Sequence, residues 1–207
     1  MAHGLGSGPR PVTRKTWTRA NRQLQASATA LLRKRLWLTK GCHRLRKKLD
    51  KWRVPLLPGR RVERCRRVVK KLPKATPPRA RAAVLRTWLD GWCTARRFGT
   101  RGTHCRFGCQ FGEDSLEHYL RCSRLWRFGS TALQLHDPVD PTERTTAALL
   151  WETGCSEQRL GRLATLVAVG YKACNTLRHS RCQHGGGLDI QRLFRQTLAE
   201  LQQGDAG

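Results

Sequence analysis

From Leu24 onward, apolar residues recur every three to four positions, the period of a helix with one buried face. The first stripe is Leu24, Ala28, Leu31, Leu38, Cys42, Leu45 and Leu49, broken only at Arg35. Pro55, Pro58 and Gly59 end it, and Arg60–Leu72 reads as a second, short helix with Val62, Val68, Val69 and Leu72 apolar. The run Pro73-Lys-Ala-Thr-Pro-Pro78 predicts a linker, because repeated proline removes backbone donors and stops helices. A third helix is predicted from Arg79 to Arg97, with Val84, Leu85, Trp88, Leu89 and Trp92 on one face. Ser115-Leu-Glu-His118 starts another, with Ser115 or Asp114 as its N-cap, running to Gly129. Thr142–Glu152, Gln158–Arg181 and Leu188–Gln203 complete the set, and Gly185-Gly-Gly187 separates the last two. No stretch alternates apolar and polar residues long enough to predict a sheet. The fold class is therefore α-dominated. Its predicted parts are a disordered or linker segment 1–23, a basic helical arm 24–78, a helix with a small finger 79–128, and a helical C-terminal domain 129–207.

Charge divides the chain along the same line. The whole carries +27. Residues 1–100 hold 28 Lys and Arg against three acids (Asp50, Glu63 and Asp90), whereas residues 101–207 hold 13 against 11. A cationic half of that density repels itself unless counter-charge is supplied. Polyphosphate is the expected source, and phosphate contact gives salt-sensitive affinity without base choice. The predicted contacts are Arg44, Arg46, Lys47, Lys48, Lys51 and Arg53 in one run and Arg60, Arg61, Arg64, Arg66, Arg67, Lys70 and Lys71 in the next. A solvated helical face or a nuclear localisation signal is the competing reading of these runs. The expected partner is RNA or DNA, with no membrane partner and no small-molecule substrate, and the expected location is nuclear. The N-terminal residues lack the apolar stretch of a secretory signal.

Nine cysteines, an odd number, without a secretory signal point to reduced thiols rather than disulfides. Cys105, Cys109, His118 and Cys122 form a C-x3-C-x8-H-x3-C pattern. Three thiolates and an imidazole at that spacing can close a tetrahedron around Zn2+, and four protein ligands leave no position open to activate water. Buried free thiols or a non-binding relic are the competing readings, and His104 or Cys93 could replace a ligand. A second grouping, Cys174, His179, Cys182 and His184, is too extended along one helix to share an ion and reads as core and surface. Phe107 and Phe111 flank a ligand and are candidates for stacking on bases. Trp88 and Trp92 lie on an apolar stripe and read as core.

The segment 79–128 resembles the cysteine-rich region downstream of the polymerase in non-LTR (LINE-type) reverse transcriptases. The residues that carry the likeness are Arg86-Thr-Trp-Leu-Asp-Gly-Trp-Cys-Thr-Ala-Arg-Arg-Phe98, Cys105-x3-Cys109 and Glu117-His118-Tyr-Leu-Arg-Cys122. The family spaces its first pair by two and its His–Cys pair by four, and here both intervals are three. The likeness covers about 50 of the 207 residues. It implies metal ligation by Cys105, Cys109, His118 and Cys122 and a role in holding element RNA or target DNA. Polymerase activity does not follow from it. No aromatic-x-Asp-Asp motif is present to hold the two metal ions of nucleotidyl transfer. The chain is expected not to be an enzyme. The alternatives are the thumb and tail of a reverse transcriptase that acts only with an upstream palm, and a finger that docks on a protein.

Overall fold

The computed structural model describes residues 46–50, 52, 58–100, 102–110, 112–179 and 189–203. The chain divides at Cys42/His43. The first unit, with the predicted segment 1–23 and the stripe from Leu24 to Cys42, lies outside the described residues. Among the described residues of the second unit, seven α-helices follow a helical turn at 46–49: α1 (Pro58–Ala75), α2 (Pro78–Trp88), α3 (Leu116–Arg121), α4 (Ser123–Leu133), α5 (Pro141–Ala148), α6 (Glu157–His179) and α7 (Ile190–Gln203). No strand occurs among the described residues, only an isolated bridge between His104 and Glu113. The protein is α-dominated, and no described helix is long and apolar enough to cross a membrane.

Helix α6 is the axis. Its buried residues, among them Leu160, Leu163, Ala164, Leu166, Val167, Val169 and Ala173, lie around most of its circumference. A helix apolar all round must be wrapped on several sides, and α1, α2, α4, α5 and α7 all pack on it. Two glycines let neighbours approach. A Cβ on Gly170 of α6 would lie 2.8 Å from Leu125 and 3.2 Å from Trp92, and one on Gly129 of α4 would lie 2.9 Å from Leu166. Four tryptophans (Trp88, Trp92, Trp126 and Trp151) are fully buried around this axis. Each removes roughly 200 Å² from water, about 5 kcal/mol before side-chain ordering is subtracted. Three indole N–H groups find acceptors: Trp88 donates to the Leu149 carbonyl (3.0 Å), Trp92 to Thr87 Oγ1 (2.9 Å) and Trp126 to the Leu120 carbonyl (2.7 Å).

Helix α1 is part of this unit rather than an arm. Arg61, Cys65, Val68 and Leu72, at spacings of four, three and four, form its buried face. The Arg61 guanidinium donates to the Leu49 carbonyl at 3.2 Å and pairs with Asp50 at 3.4 Å, so it docks the turn at 46–50. The Pro-rich stretch 73–78 does not separate domains. The helix runs through Pro73 to Ala75, only Thr76 and Pro77 lie between α1 and α2, and α1 and α2 both pack on α6. Pro78 then opens α2 at its first turn, where a missing N–H costs nothing.

Helix ends depart most from the sequence pattern. The helix expected to reach Arg97 stops at Trp88. Asp90 takes φ 53°, and the Gly91 and Asp90 amides donate back to the Arg86 and Thr87 carbonyls, a Schellman closure. Helix α5 ends the same way at Leu150 (φ 60°), with the Trp151 and Leu150 amides donating to Thr146 and Ala147. Leucine in this conformation costs roughly 1–2 kcal/mol. Its complete burial offsets that cost. The helix expected from Ser115 to Gly129 breaks at Cys122 into α3 and α4, and α4 passes through Gly129 to Leu133.

Replacing Gly170 with Leu overfills the crossing of α6 with α4. The expected loss is about 1–3 kcal/mol of unfolding free energy, read from the denaturant midpoint with an unchanged m-value.

Candidate metal centre

The four predicted ligands converge. One donor atom from each of Cys105, Cys109, His118 and Cys122 lies within 4.8 Å of every other. Around a tetrahedral zinc, sulfurs at 2.3 Å from the ion lie about 3.8 Å apart, so the cluster has the right scale. Cys109 Sγ and Cys122 Sγ are 3.3 Å apart, far beyond a disulfide bond, and all four thiols of this region, including Cys93, are free. Neither Cys93 nor His104 belongs to the ligand group.

Local geometry explains the convergence. Cys105–Cys109 turns back on itself: the Gly108 amide donates to the Cys105 carbonyl at 2.9 Å, and Gly108 takes φ 78°. Cys105 N–H then donates to the Gly112 carbonyl at 2.6 Å, which closes the loop around the site. Ser115 caps α3, its Oγ accepting from the His118 amide at 3.2 Å. That leaves Asp114 free for another task. Cys122 leaves the helix at φ −60°, ψ 118°, and this break turns its thiol toward the loop pair. Gly112 has no room for a side chain, since a Cβ there would lie 2.2 Å from the imidazole of His118.

The protonation pattern suits a cation. Cys105 is held down to about 4, first by a hydrogen bond from the Cys122 thiol, with burial opposing. Cys109 is held down to about 6, again first by Cys122. Cys122 is pushed up, because it carries the proton the other two share. Burial lowers His118, but the neighbouring Cys105 and then Cys109 sulfurs outweigh it and the net shift is upward. His118 Nε2 is buried and makes no hydrogen bond. An orphaned imidazole nitrogen among thiolates is the arrangement an ion completes. The residues present fit a metal.

Beneath the cluster sits a carboxylate whose importance the sequence does not announce. Asp114 is completely buried. It accepts from Tyr119 Oη at 2.9 Å, Arg106 Nε at 3.2 Å and Arg178 Nη2 at 2.7 Å. Its backbone is engaged too, through Thr103 and Arg96. Arg106 lies between the first two ligands, and Arg178 lies in the last turn of α6. One carboxylate thus joins the finger loop to the helical axis. Aromatic packing reinforces the joint. Trp92 stacks on Tyr119 at 5.8 Å, and Phe107 contacts both Tyr119 (4.8 Å) and Phe194 of α7 (4.9 Å).

This packing corrects the expectation for Phe107. Its ring is fully buried against Tyr119 and Phe194, so neither face is open to a base. Phe111 lies outside the described residues, as do Arg44, Lys51 and Arg53. Among the described residues the exposed aromatic is Phe98, 61% accessible, with the Arg178 guanidinium 5.6 Å from its ring centre. Among the basic residues, Arg46, Lys47, Arg60, Arg66, Arg67, Lys70 and Lys71 are exposed, and Lys48 and Arg64 are half-buried. Arg61 is the exception: it is buried and serves structure, as its contacts with Leu49 and Asp50 show. Cys174 is core, its thiol pushed up to about 12 by burial, His179 is exposed, and Cys182 and His184 lie outside the described residues. Cys65 is likewise core at about 12. Asp114, a candidate N-cap in the sequence, is instead the buried partner of two arginines, and nothing in the local pattern singles out Arg178 or the exposed Arg121, Arg124 and Arg127 beside the cluster. The three-residue spacing of those arginines was visible but was masked by the far denser runs upstream.

No protein-family model, curated protein or solved structure matches the chain.

Two outcomes test the centre. An ion must displace the protons of Cys122 and His118, so affinity should fall about tenfold per pH unit for each proton released, as pH drops below neutral. Competition with a coloured chelator at several pH values measures this, and a pH-independent affinity contradicts the assignment. Asp114→Ala strands two arginines and a tyrosine hydroxyl and should cost about 3 kcal/mol in chemical denaturation. A loss below 1 kcal/mol would show that the joint is not what holds the finger to α6.

Proposed function

We propose that this chain is a zinc-dependent nucleic-acid-binding protein, and that residues 79–128 are related to the cysteine-rich tail of non-LTR retrotransposon reverse transcriptases. Zinc is the ion of choice because three thiolates and an imidazole form a soft, tetrahedral donor set. With four protein ligands the ion has no open position. It would supply cross-linking of the loop to α3, and Cys105, Cys109, His118 and Cys122 would hold it. The reading assigns no catalysis to the chain.

The observation that carries the reading is the segregation of charge on α1. Its inner face is Arg61, Cys65, Val68 and Leu72, whereas Arg60, Arg66, Arg67, Lys70 and Lys71 point to solvent. Glu63, near Arg66 at 3.7 Å, is the lone acid in this helix. An outward cationic ridge on a helix that is rigidly seated positions point charges for phosphates without reading bases. The exposed ring of Phe98, next to the exposed Arg96 and Arg97, takes over the stacking role first expected of Phe107. The likeness to retroelement tails supports a polynucleotide as the partner.

Five phosphate contacts on a single strand give a slope of about −3 to −4 in a plot of log affinity against log salt concentration. Fluorescence anisotropy with labelled oligonucleotides between 50 and 200 mM salt should show affinity falling roughly a hundredfold. A flat salt response would overturn the phosphate reading and favour docking on a protein.

A further inference from the structure

One cleft opens beside the Cys/His cluster and a second adjoins it. One, of about 750 Å³, is lined by Gly108, Cys109 and His118 of the finger and by Arg121, Arg124 and Arg127. The other, of about 1090 Å³, is lined in part by Lys48, Arg96, Arg97 and again Arg121. Arg121 and Pro141 belong to both, so the clefts adjoin. Cations outnumber acids around the first cleft. Arg121, Arg124 and Arg127 are exposed, at intervals of three along the end of α3 and the start of α4. Among the described residues no carboxylate pairs with any of the three. The acid in that lining, Asp189, is engaged as a cap, accepting from the Gln191 and Arg192 amides at 2.9 and 3.2 Å. The second cleft holds three acids: Asp50 pairs with Arg61, Glu117 pairs with Arg96, and Asp90 closes the end of α2.

Resting on the nucleic-acid reading above, we infer that these adjoining clefts form the path of a single-stranded polynucleotide, with Arg121, Arg124 and Arg127 holding its phosphates. Three observations carry this. The three arginines follow one another across the α3–α4 junction and all border one cleft, so a polyanion entering it meets several cations at once. The clefts have the volume of small-ligand sites, which admit an unpaired strand; a double helix instead takes protein elements into its own grooves. The metal loop also props one of the three. A Cβ on Gly108 would lie 3.4 Å from the Arg124 guanidinium carbon, so that side chain lies against the turn formed by Cys105–Cys109. Removing the ion therefore loosens the seat of Arg124, and metal and strand binding are coupled.

The test uses the full, zinc-loaded chain with 20-nucleotide single strands (deoxythymidine and uridine homopolymers) and a 20-base-pair duplex. Compared are a triple variant R121Q/R124Q/R127Q, its Lys counterpart R121K/R124K/R127K, and an α1 variant R60Q/R67Q/K70Q/K71Q. The Gln triple should bind single strands at least tenfold more weakly, with its salt slope shallower by about 2. Duplex binding should fall less. The Lys triple should stay within about threefold of the parent, because the charge is kept; this separates lost contacts from lost fold, and matching melting curves confirm it. Chelation of the parent should weaken single-strand binding as well. Unchanged single-strand affinity in the Gln triple, with loss confined to the α1 variant, overturns the inference and leaves nucleic-acid binding in place. Equal loss for strand and duplex overturns the single-strand assignment. A parent chain that binds no polynucleotide overturns both readings.

Discussion

A buried carboxylate is the constraint on which the rest of the finger depends. Asp114 has no contact with water, and an unpaired charge there would be prohibitive. It is tolerated because Arg106, Arg178 and the Tyr119 hydroxyl all converge on its two oxygens. Those partners come from the metal loop, from the last turn of α6 and from α3. Meeting the demands of one anion therefore orients three elements at once. The metal ligands inherit that orientation. Cys105 precedes Arg106, and His118 precedes Tyr119, so the groups that satisfy Asp114 and the groups that face the ion are alternate neighbours along the chain.

This arrangement differs from a free-standing metal finger, in which the ion is the whole core. Here the loop rests on Trp92, Tyr119, Phe107 and Phe194, and these rings belong to the same core as α6 and α7. The helices have their own tryptophan-rich interior. Metal release should then loosen the loop and its surface arginines more than the bundle. An ion held there would keep the loop surface rigid, and through Gly108 and Arg124 that rigidity would reach the cleft proposed to take a strand.

The cations are divided by burial as much as by position. Arg61, Arg106 and Arg178 are spent on internal carboxylates and carbonyls. Arg60, Arg66, Arg67, Lys70 and Lys71 on α1, and Arg121, Arg124 and Arg127 beside the finger, face solvent. The second group is the one on which the proposed phosphate contacts rest, Arg66 among them being paired with Glu63. Net charge alone does not distinguish the two, so a count of basic residues overstates the exposed cationic surface on α1 and overlooks the smaller one beside the Cys/His cluster.

What the sequence by itself determined is whatever depends on neighbours along the chain. Helical periodicity announced α1, α2, α6 and α7; the Ser115 cap marked the start of α3; the spacing of three cysteines and a histidine picked out the four side chains that converge. These are local because a helix face or a turn is completed within a few residues. The tertiary structure decided what depends on distant partners. Helix ends moved where αL residues such as Asp90 and Leu150 closed Schellman turns, a choice that in the case of Leu150 burial makes bearable. The prolines at 73–78, which read as a domain boundary, lie within one packed unit because α1 and α2 both need α6 to cover their apolar faces. Phe107 became core and Phe98 surface, although both are phenylalanines beside basic residues, because only one of them meets Tyr119 and Phe194. Asp114 became the hub for the same reason: Arg178 is 64 positions away along the chain, and a contact over that separation exists only once the fold has closed.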